Sequence, residues 1–246
     1  MQQYLLHLAD NALILGHRLS EWCGHGPALE IDMAMTNISL DLIGQARNIY
    51  EYAAKLEGQG KTEDDLAYLR DATDFRNVLL VEQPNSDFAH TIARHFLYDT
   101  YNFYFQQKLC ESSDKQLAAI AEKSLKEVAY HLRWNSEWVI RLGDGTPESK
   151  ERIQTAINDL WSFRGELLTP AAYEKDAVAA GYGVDLLGIK KDVEHRIFEV
   201  LDQATLLRPE DGWMQSGGKI GRHSEHLGFI LAEMQFLQRA YPNSTW

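Results

Sequence analysis

The sequence predicts an all-α chain. Three observations carry this. Apolar residues step by three and four almost from end to end, the amphipathic helical period. The breaks between periodic stretches carry helix caps and glycines. No run alternates with period two, so no strand is predicted.

The first helix follows Leu5, Leu8, Ala12, Leu15, Leu19 and Trp22, and the run Cys23-Gly24-His25-Gly26-Pro27 ends it. A long second helix follows Ile31, Met35, Ile38, Leu42, Ala46, Ile49, Ala53 and Leu56 and stops at Gly58-Gln59-Gly60. Thr62 and Asp65 form a capping box, with Asp in place of Glu, ahead of a short helix. Residues 71–87 are less regular, and Gln83-Pro84-Asn85-Ser86-Asp87 makes a turn that opens a helix over about 87–111. That helix is apolar on most sides, with Phe88, Ile92, Phe96 and Phe103 on one stripe and Ala89, Ala93, Leu97 and Tyr104 on another. This marks it as central.

Ser112-Ser113-Asp114 breaks it and caps a helix over about 114–142, which ends at Gly143-Asp144-Gly145. Thr146-Pro147 is an N-cap followed by proline at the first helical position, opening a helix to about 168. Thr169-Pro170 repeats the device for a short helix closing near Gly181 and Gly183. Leu186, Ile189, Val193, Ile197, Val200, Ala204 and Leu207 mark the next helix, and residues 208–218 a loop. Ile220, His223, Leu227, Ile230, Met234, Leu237 and Tyr241 step 3, 4, 3, 4, 3, 4 along a last one. No linker and no fixed-period repeat interrupts residues 1–246, so a single domain is expected.

Composition excludes several function classes. With 36 acidic against 24 basic residues, the chain carries a formal charge of -12. That disfavours nucleic acid and anionic membrane surfaces, which both need basic stripes. No run approaches the roughly 20 apolar residues of a spanning helix, and the N-terminus lacks the basic start of a signal peptide. Cys23 and Cys110 make neither a metal spacing nor a disulfide framework. A reducing, cytoplasmic setting is expected.

Charges on apolar stripes must be paired or bind metal, so they are the residues to question. Asp99 lies on the stripe of the central helix. Glu127 and His131 lie one turn apart at the edge of the stripe Leu117, Ala121, Leu125, Val128, Leu132, with Trp134 and Trp138 continuing that edge. Asp41, with Asn37, Gln45 and Asn48, forms a polar seam on the second helix. His223 is on the final stripe, with His226 beside it.

A four-helix di-iron carboxylate site takes one Glu from each of two helices and a Glu-x-x-His from each of the others. Here Val128 stands three before His131, and His223 three before His226, so neither pair is complete. The acidic matches are Asp87-x-x-His90 and Asp192-x-x-His195, and Asp87 reads as a helix cap. The count favours a degenerate, hydrogen-bonded polar centre of Asp41, Asp99, Glu127, His131, His223 and His226 over a working metal site. Asp99, Glu127, His131 and His223 are expected to be buried. Lys219 and Arg222, beside Gly217-Gly218 at the entry to the last helix, are candidates to hold a phosphate. The aromatic run from Tyr98 to Phe105 reads as core or interface rather than a cofactor box. There is no nucleophile elbow, dinucleotide fingerprint or kinase signature.

Five segments together resemble one family. They are Glu21-Trp22-Cys23-Gly24-His25, Leu40-Asp41-Leu42-Ile43-Gly44-Gln45-Ala46-Arg47, Leu80-Val81-Glu82-Gln83-Pro84-Asn85, Lys126-Glu127-Val128-Ala129-Tyr130-His131-Leu132-Arg133 and His223-Ser224-Glu225-His226-Leu227-Gly228. They resemble the C subunits of bacterial phenylacetyl-CoA ring 1,2-epoxidases, and the likeness runs to the Tyr241-Pro242 and Trp246 tail. The resemblance implies a ferritin-like helical bundle with extra flanking helices, acting as a structural subunit. It implies a homologous A subunit that carries the di-iron centre and binds phenylacetyl-CoA. A small B subunit and a flavin/iron–sulfur reductase would complete an O₂- and NADPH-dependent system for aerobic phenylacetate breakdown. It assigns no catalytic residue and no metal to this chain. The rival readings are a self-sufficient di-iron oxygenase or iron-binding protein, which the missing Glu-x-x-His pairs oppose, and an unrelated helical binding module, which the length of the likeness opposes.

Overall fold

Helices form where the apolar period places them. A computed structural model describes residues 1–242 and 244; Trp246 of the tail lies outside them. Among the described residues the fold is all-α, without strands. Its helices are α1 (Gln2–Ser20), α2 (Leu29–Glu57), α3 (Glu63–Tyr68), α4 (Phe88–Leu109), α5 (Lys115–Gly143), α6 (Pro147–Leu160), α7 (Ala172–Ala179), α8 (Leu186–Gln203), α9 (Glu225–Met234) and α10 (Phe236–Ala240). Short 3₁₀ segments lie at Ala72–Asp74, Trp161–Leu168 and Gly218–Ile220. The chain divides into two compact units: one takes Met1–Gln83 and the chain from Gly217 onward, the other Pro84–Ser216.

In the first unit α1 packs along α2. Gly16 makes this approach possible, because a Cβ there would lie 3.0 Å from Leu42 Cβ and 3.2 Å from the Ser39 carbonyl oxygen. Ser39 Oγ donates to the Gly16 carbonyl at 2.7 Å, tying the crossing. Gly58 ends α2 in the left-handed conformation, φ 66°, where glycine carries no Cβ penalty. Thr62 and Asp65 form the expected capping box for α3.

In the second unit α4 packs against α5, α6 and α8. Every residue from Thr91 to Asn102 is buried, as a central helix requires. Burying each large apolar side chain contributes about 1.5–3 kcal/mol, so Ile92, Phe96, Leu97, Tyr101 and Phe105 anchor this unit. Tyr98, Tyr101 and Phe105 of the aromatic run are core, with Tyr98 and Tyr101 rings 6.0 Å apart and Tyr101 and Phe105 5.4 Å apart, while Phe103 and Tyr104 are half-buried. Asp87 caps α4 by accepting from His90 N–H at 2.9 Å, and Asp114 caps α5 from Leu117 N–H at 2.8 Å.

Three expectations are corrected. The helix opened by Thr146-Pro147 turns 3₁₀ at Trp161 instead of running on to 168. There the Trp161 indole and the Arg164 guanidinium both donate to Asp211, and Gly165 lies where a Cβ would come 2.7 Å from Met214. Tertiary partners tighten that turn. Thr169 does not cap α7, which starts two residues past Pro170. Its hydroxyl donates back to the Gly165 carbonyl at 2.9 Å. The last stripe breaks into a 3₁₀ turn, α9 and α10, and only Leu227 and Ile230 of it are buried while Ile220, Leu237 and Tyr241 are exposed.

Candidate functional site

Each unit carries a buried polar centre, built on helices and the segments packed against them. In the second unit it lies between α4 and α5. His95 and Asp99 are one turn apart on α4; His131 and Asn135 are one turn apart on α5. All four are buried. Asn135 Nδ2 donates to Asp99 Oδ2 at 2.8 Å and to the His131 carbonyl at 3.1 Å. His95 Nδ1 stands 4.0 Å from Asp99 Oδ2. Asp99 Oδ1 and both His95 ring nitrogens have no hydrogen-bond partner among the described residues. Arg94, also buried, donates from Nη2 to Asn85 Oδ1 at 2.6 Å.

This environment shifts both titratable groups of α4. Burial pushes the Asp99 carboxyl up to about 7, although the His131 ring and the Asn135 hydrogen bond pull the other way. Burial holds His95 well below the usual imidazole range, helped by Arg94 and His131. The buried imidazole is therefore neutral at pH 7, and the carboxyl is close to half protonated.

The first unit holds two linked networks. Asp10 of α1 accepts from the Tyr50 hydroxyl, from both terminal nitrogens of Arg70 and, at 2.7 Å, from Arg76 N–H. The Arg70 guanidinium lies 4.2 Å from the Phe75 ring centroid. Burial opposes its charge, but Asp10 and Tyr50 outweigh burial and its pKa rises. Tyr50 is likewise raised, by burial first and then by Asp10. Beside this, Glu82 Oε2 accepts from Asn77 Nδ2 at 2.9 Å and faces His223 Nδ1 at 2.9 Å. Glu82 Oε1 accepts from Ser224 N–H at 2.7 Å. His223 Nε2 faces the Phe75 carbonyl at 3.0 Å. His223 thus bridges Glu82 and the Phe75 carbonyl.

The expected centre is thus distributed rather than assembled. Asp99 and His131 sit together in the second unit; His223, its side chain 5% exposed, pairs with Glu82 in the first. Asp41, Glu127 and His226 are only half-buried, which corrects their place in a buried centre. Asp41 and Glu127 lie at the margins of their apolar stripes, about a quarter turn from the buried faces, where long or polar side chains reach water. Lys219 and Arg222 are not brought together at a helix N-terminus. Lys219 is 4% exposed within the 3₁₀ turn, Arg222 is exposed, and α9 begins only at Glu225. The glycines there serve backbone packing: a Cβ at Gly218 would come 2.2 Å from the Asn77 carbonyl. The anion at the entry to α9 is Glu82 of this chain.

Sequence reasoning missed Asp10, Tyr50, Arg70, Glu82, Arg94 and His95. Asp10 and Glu82 did leave a signal, since each is a lone acid in an apolar run. His95 lies four residues before Asp99, on the same helix face. None of these residues completes a metal site. Among the described residues no three His, Cys, Asp or Glu side chains come together as a metal ion would need. Around Asp99 the set is one carboxylate, two imidazoles and an amide that donates to the carboxylate. It lacks the carboxylates a di-iron centre requires.

A model of the PaaA_PaaC family, described as phenylacetic acid catabolic protein, matches residues 1–246. The chain is 49% identical over 243 residues to the C subunit of the 1,2-phenylacetyl-CoA epoxidase of Escherichia coli (strain K12), a match over 99% of this chain and 98% of that one. No helix among the described residues is long and apolar enough to cross a membrane. On a match that spans the whole chain, this protein belongs to the PaaA_PaaC family of phenylacetic acid catabolic proteins.

Proposed function

We propose that this chain is the structural, non-catalytic subunit of a multicomponent epoxidase acting on the ring of phenylacetyl-CoA. It pairs with a homologous subunit that carries the di-iron centre. A small third subunit and a flavin/iron–sulfur reductase supply the rest of the O₂- and NADPH-dependent cycle. The observation that carries this is the end-to-end likeness to an epoxidase C subunit. Asp99, His95 and His131 occupy buried faces of α4 and α5. We read this polar interior as structural: Asn135 donates to Asp99, and Arg94 to Asn85. Cys23 and Cys110 are free thiols, which suits a reducing cytoplasm.

Two measurements test this. After anaerobic Fe(II) loading and desalting, the isolated chain should hold no stoichiometric iron; two irons per chain would replace this reading with a self-sufficient di-iron protein. Phenylacetyl-CoA epoxidation by the homologous subunit, small subunit and reductase should fall to background without this chain. Full turnover in its absence would refute a required role.

A further inference from the structure

The polar seam between α4 and α5 is short of hydrogen bonds. His95, Asp99, His131 and Asn135 are each 1% exposed or less. Asn135 reaches Asp99 Oδ2 across the seam. Asp99 Oδ1 and both ring nitrogens of His95 have no hydrogen-bond partner among the described residues. The large majority of buried polar side-chain atoms are paired, and each exception calls for an explanation. Here three exceptions fall on two side chains one turn apart on one helix face. The two do not satisfy each other. His95 Nδ1 stands 4.0 Å from Asp99 Oδ2, beyond the roughly 3.2 Å reach of an N–H···O bond. That gap suits a water standing about 2.8 Å from each group.

We infer that the seam is a binding site for internal water, with one molecule bridging the Asp99 carboxyl and the His95 ring. Donor and acceptor counts select water over other occupants. Asp99 Oδ2 accepts from Asn135, which leaves Oδ1 to carry the proton of the acid form and donate it. A neutral imidazole offers one donor nitrogen and one acceptor nitrogen. Water accepts from the carboxyl and donates to the ring, and a second water serves the other ring nitrogen. Accepting from the acid form favours that form, in keeping with a carboxyl that burial raises. A metal cation does not fit, because no three His, Cys, Asp or Glu side chains among the described residues come together to hold one. An anion would face the Asp99 carboxyl. An apolar molecule would leave all three atoms unpaired. Water thus ties α4 to α5 where the chain's own groups fall short of each other.

A high-resolution crystal structure of the whole chain tests this directly. The expected result is a peak without anomalous signal, about 2.6–3.2 Å from both the Asp99 carboxyl and a His95 ring nitrogen. A ring and carboxyl closed into a direct bond, with no peak between them, would overturn the water site and leave the proposed function standing. A peak with the anomalous signal of iron would defeat both. Magnetic relaxation dispersion of water oxygen gives the solution readout, since its amplitude reports internal waters that exchange slowly. His95→Phe keeps a ring of similar shape and removes both nitrogens. It should lower the amplitude by about one or two waters per chain. The control His226→Phe, at a half-buried position of α9, should match wild type. An amplitude that His95→Phe leaves unchanged would sink the inference. Should that variant fail to fold, the wild-type crystal structure decides alone.

Discussion

Asp10 and Asp99 are both fully buried carboxyl groups on long helices, and their surroundings differ. Asp10 accepts four hydrogen bonds, two of them from a guanidinium that also stacks on an aromatic ring. Asp99 accepts one, from an amide, and its nearest imidazole nitrogen stands at 4.0 Å. Equal burial therefore has unequal consequences. The first is a charge compensated on every side, part of what fixes the 70–78 segment to α1. The second is a group that stays neutral until about pH 7 because the fold offers the charge too little. A buried acid on an apolar stripe is not evidence of one role; the number and charge of its partners sets what it does.

The largest test breaks the compensated site. Arg70→Ala leaves Asp10 buried with the Tyr50 hydroxyl and Arg76 N–H alone. Removing one partner of a buried ion pair costs about 3–5 kcal/mol, read as a lowered urea midpoint. A loss below about 1 kcal/mol would show that Asp10 is solvated and end the contrast.

The second test uses pH on the uncompensated site. The Asp99 carboxyl rises from an ordinary 3.8 to about 7, so between these values the folded state holds a proton that the unfolded state releases. Stability then falls as pH rises through that window, and the penalty is complete above about pH 7. At about 1.4 kcal/mol per pH unit, the full span is about 4 kcal/mol. Asp99→Asn removes the titration. Relative to wild type the variant should gain stability between pH 5 and pH 8, and a pH-independent difference would refute the assignment. The groups facing it are Tyr98, His95, His131 and Asn135. His95, neutral in the fold but protonated in the unfolded chain below its ordinary 6.5, adds a slope of opposite sign there; wild type and variant share it, so their difference isolates the carboxyl.

Glu82→Gln probes an intermediate case. Glu82 accepts from Asn77 and Ser224 and pairs with His223, and glutamine keeps one accepting oxygen of two. Weakening hydrogen bonds to a charged group costs about 1.5–3 kcal/mol, again measured by urea. An unchanged midpoint would mean that the Glu82–His223 pair contributes nothing net.

These networks also show how far the sequence could be read. Caps are local, so Thr62, Asp87, Asp114 and Thr146 were legible at their own positions. The all-round apolar pattern of α4 was legible too, and it placed Asp99 inside correctly. What periodicity lacks is the identity of the partner. Asp10 meets Arg70 across 60 residues and Glu82 meets His223 across 141. Those encounters are set by the path of the 70–83 segment, which has no period to read. The same limit explains the misplacement of Asp41 and Glu127. Stripe margins look alike in sequence, and whether a margin is covered depends on what packs against it.

The smallest effect separates two histidines three residues apart. His223 and His226 carry the same sequence signal, a histidine on or beside the final apolar stripe. The structure gives them different roles: His223 bridges Glu82 and the Phe75 carbonyl, while His226, in the first turn of α9, is half-buried. His223→Ala should therefore cost about 1.5–3 kcal/mol, because it strips a hydrogen-bond partner from buried Glu82. His226→Ala should stay within about 0.5 kcal/mol, the range for substitutions away from buried networks. Hydrogen exchange at Ser224 N–H, which donates to Glu82, supplies the local readout. It should quicken in His223→Ala and not in His226→Ala. Equal effects of the two substitutions would mean that the pair acts as a unit, as the sequence spacing suggested, and that the Glu82 network is not the element holding the entry to α9.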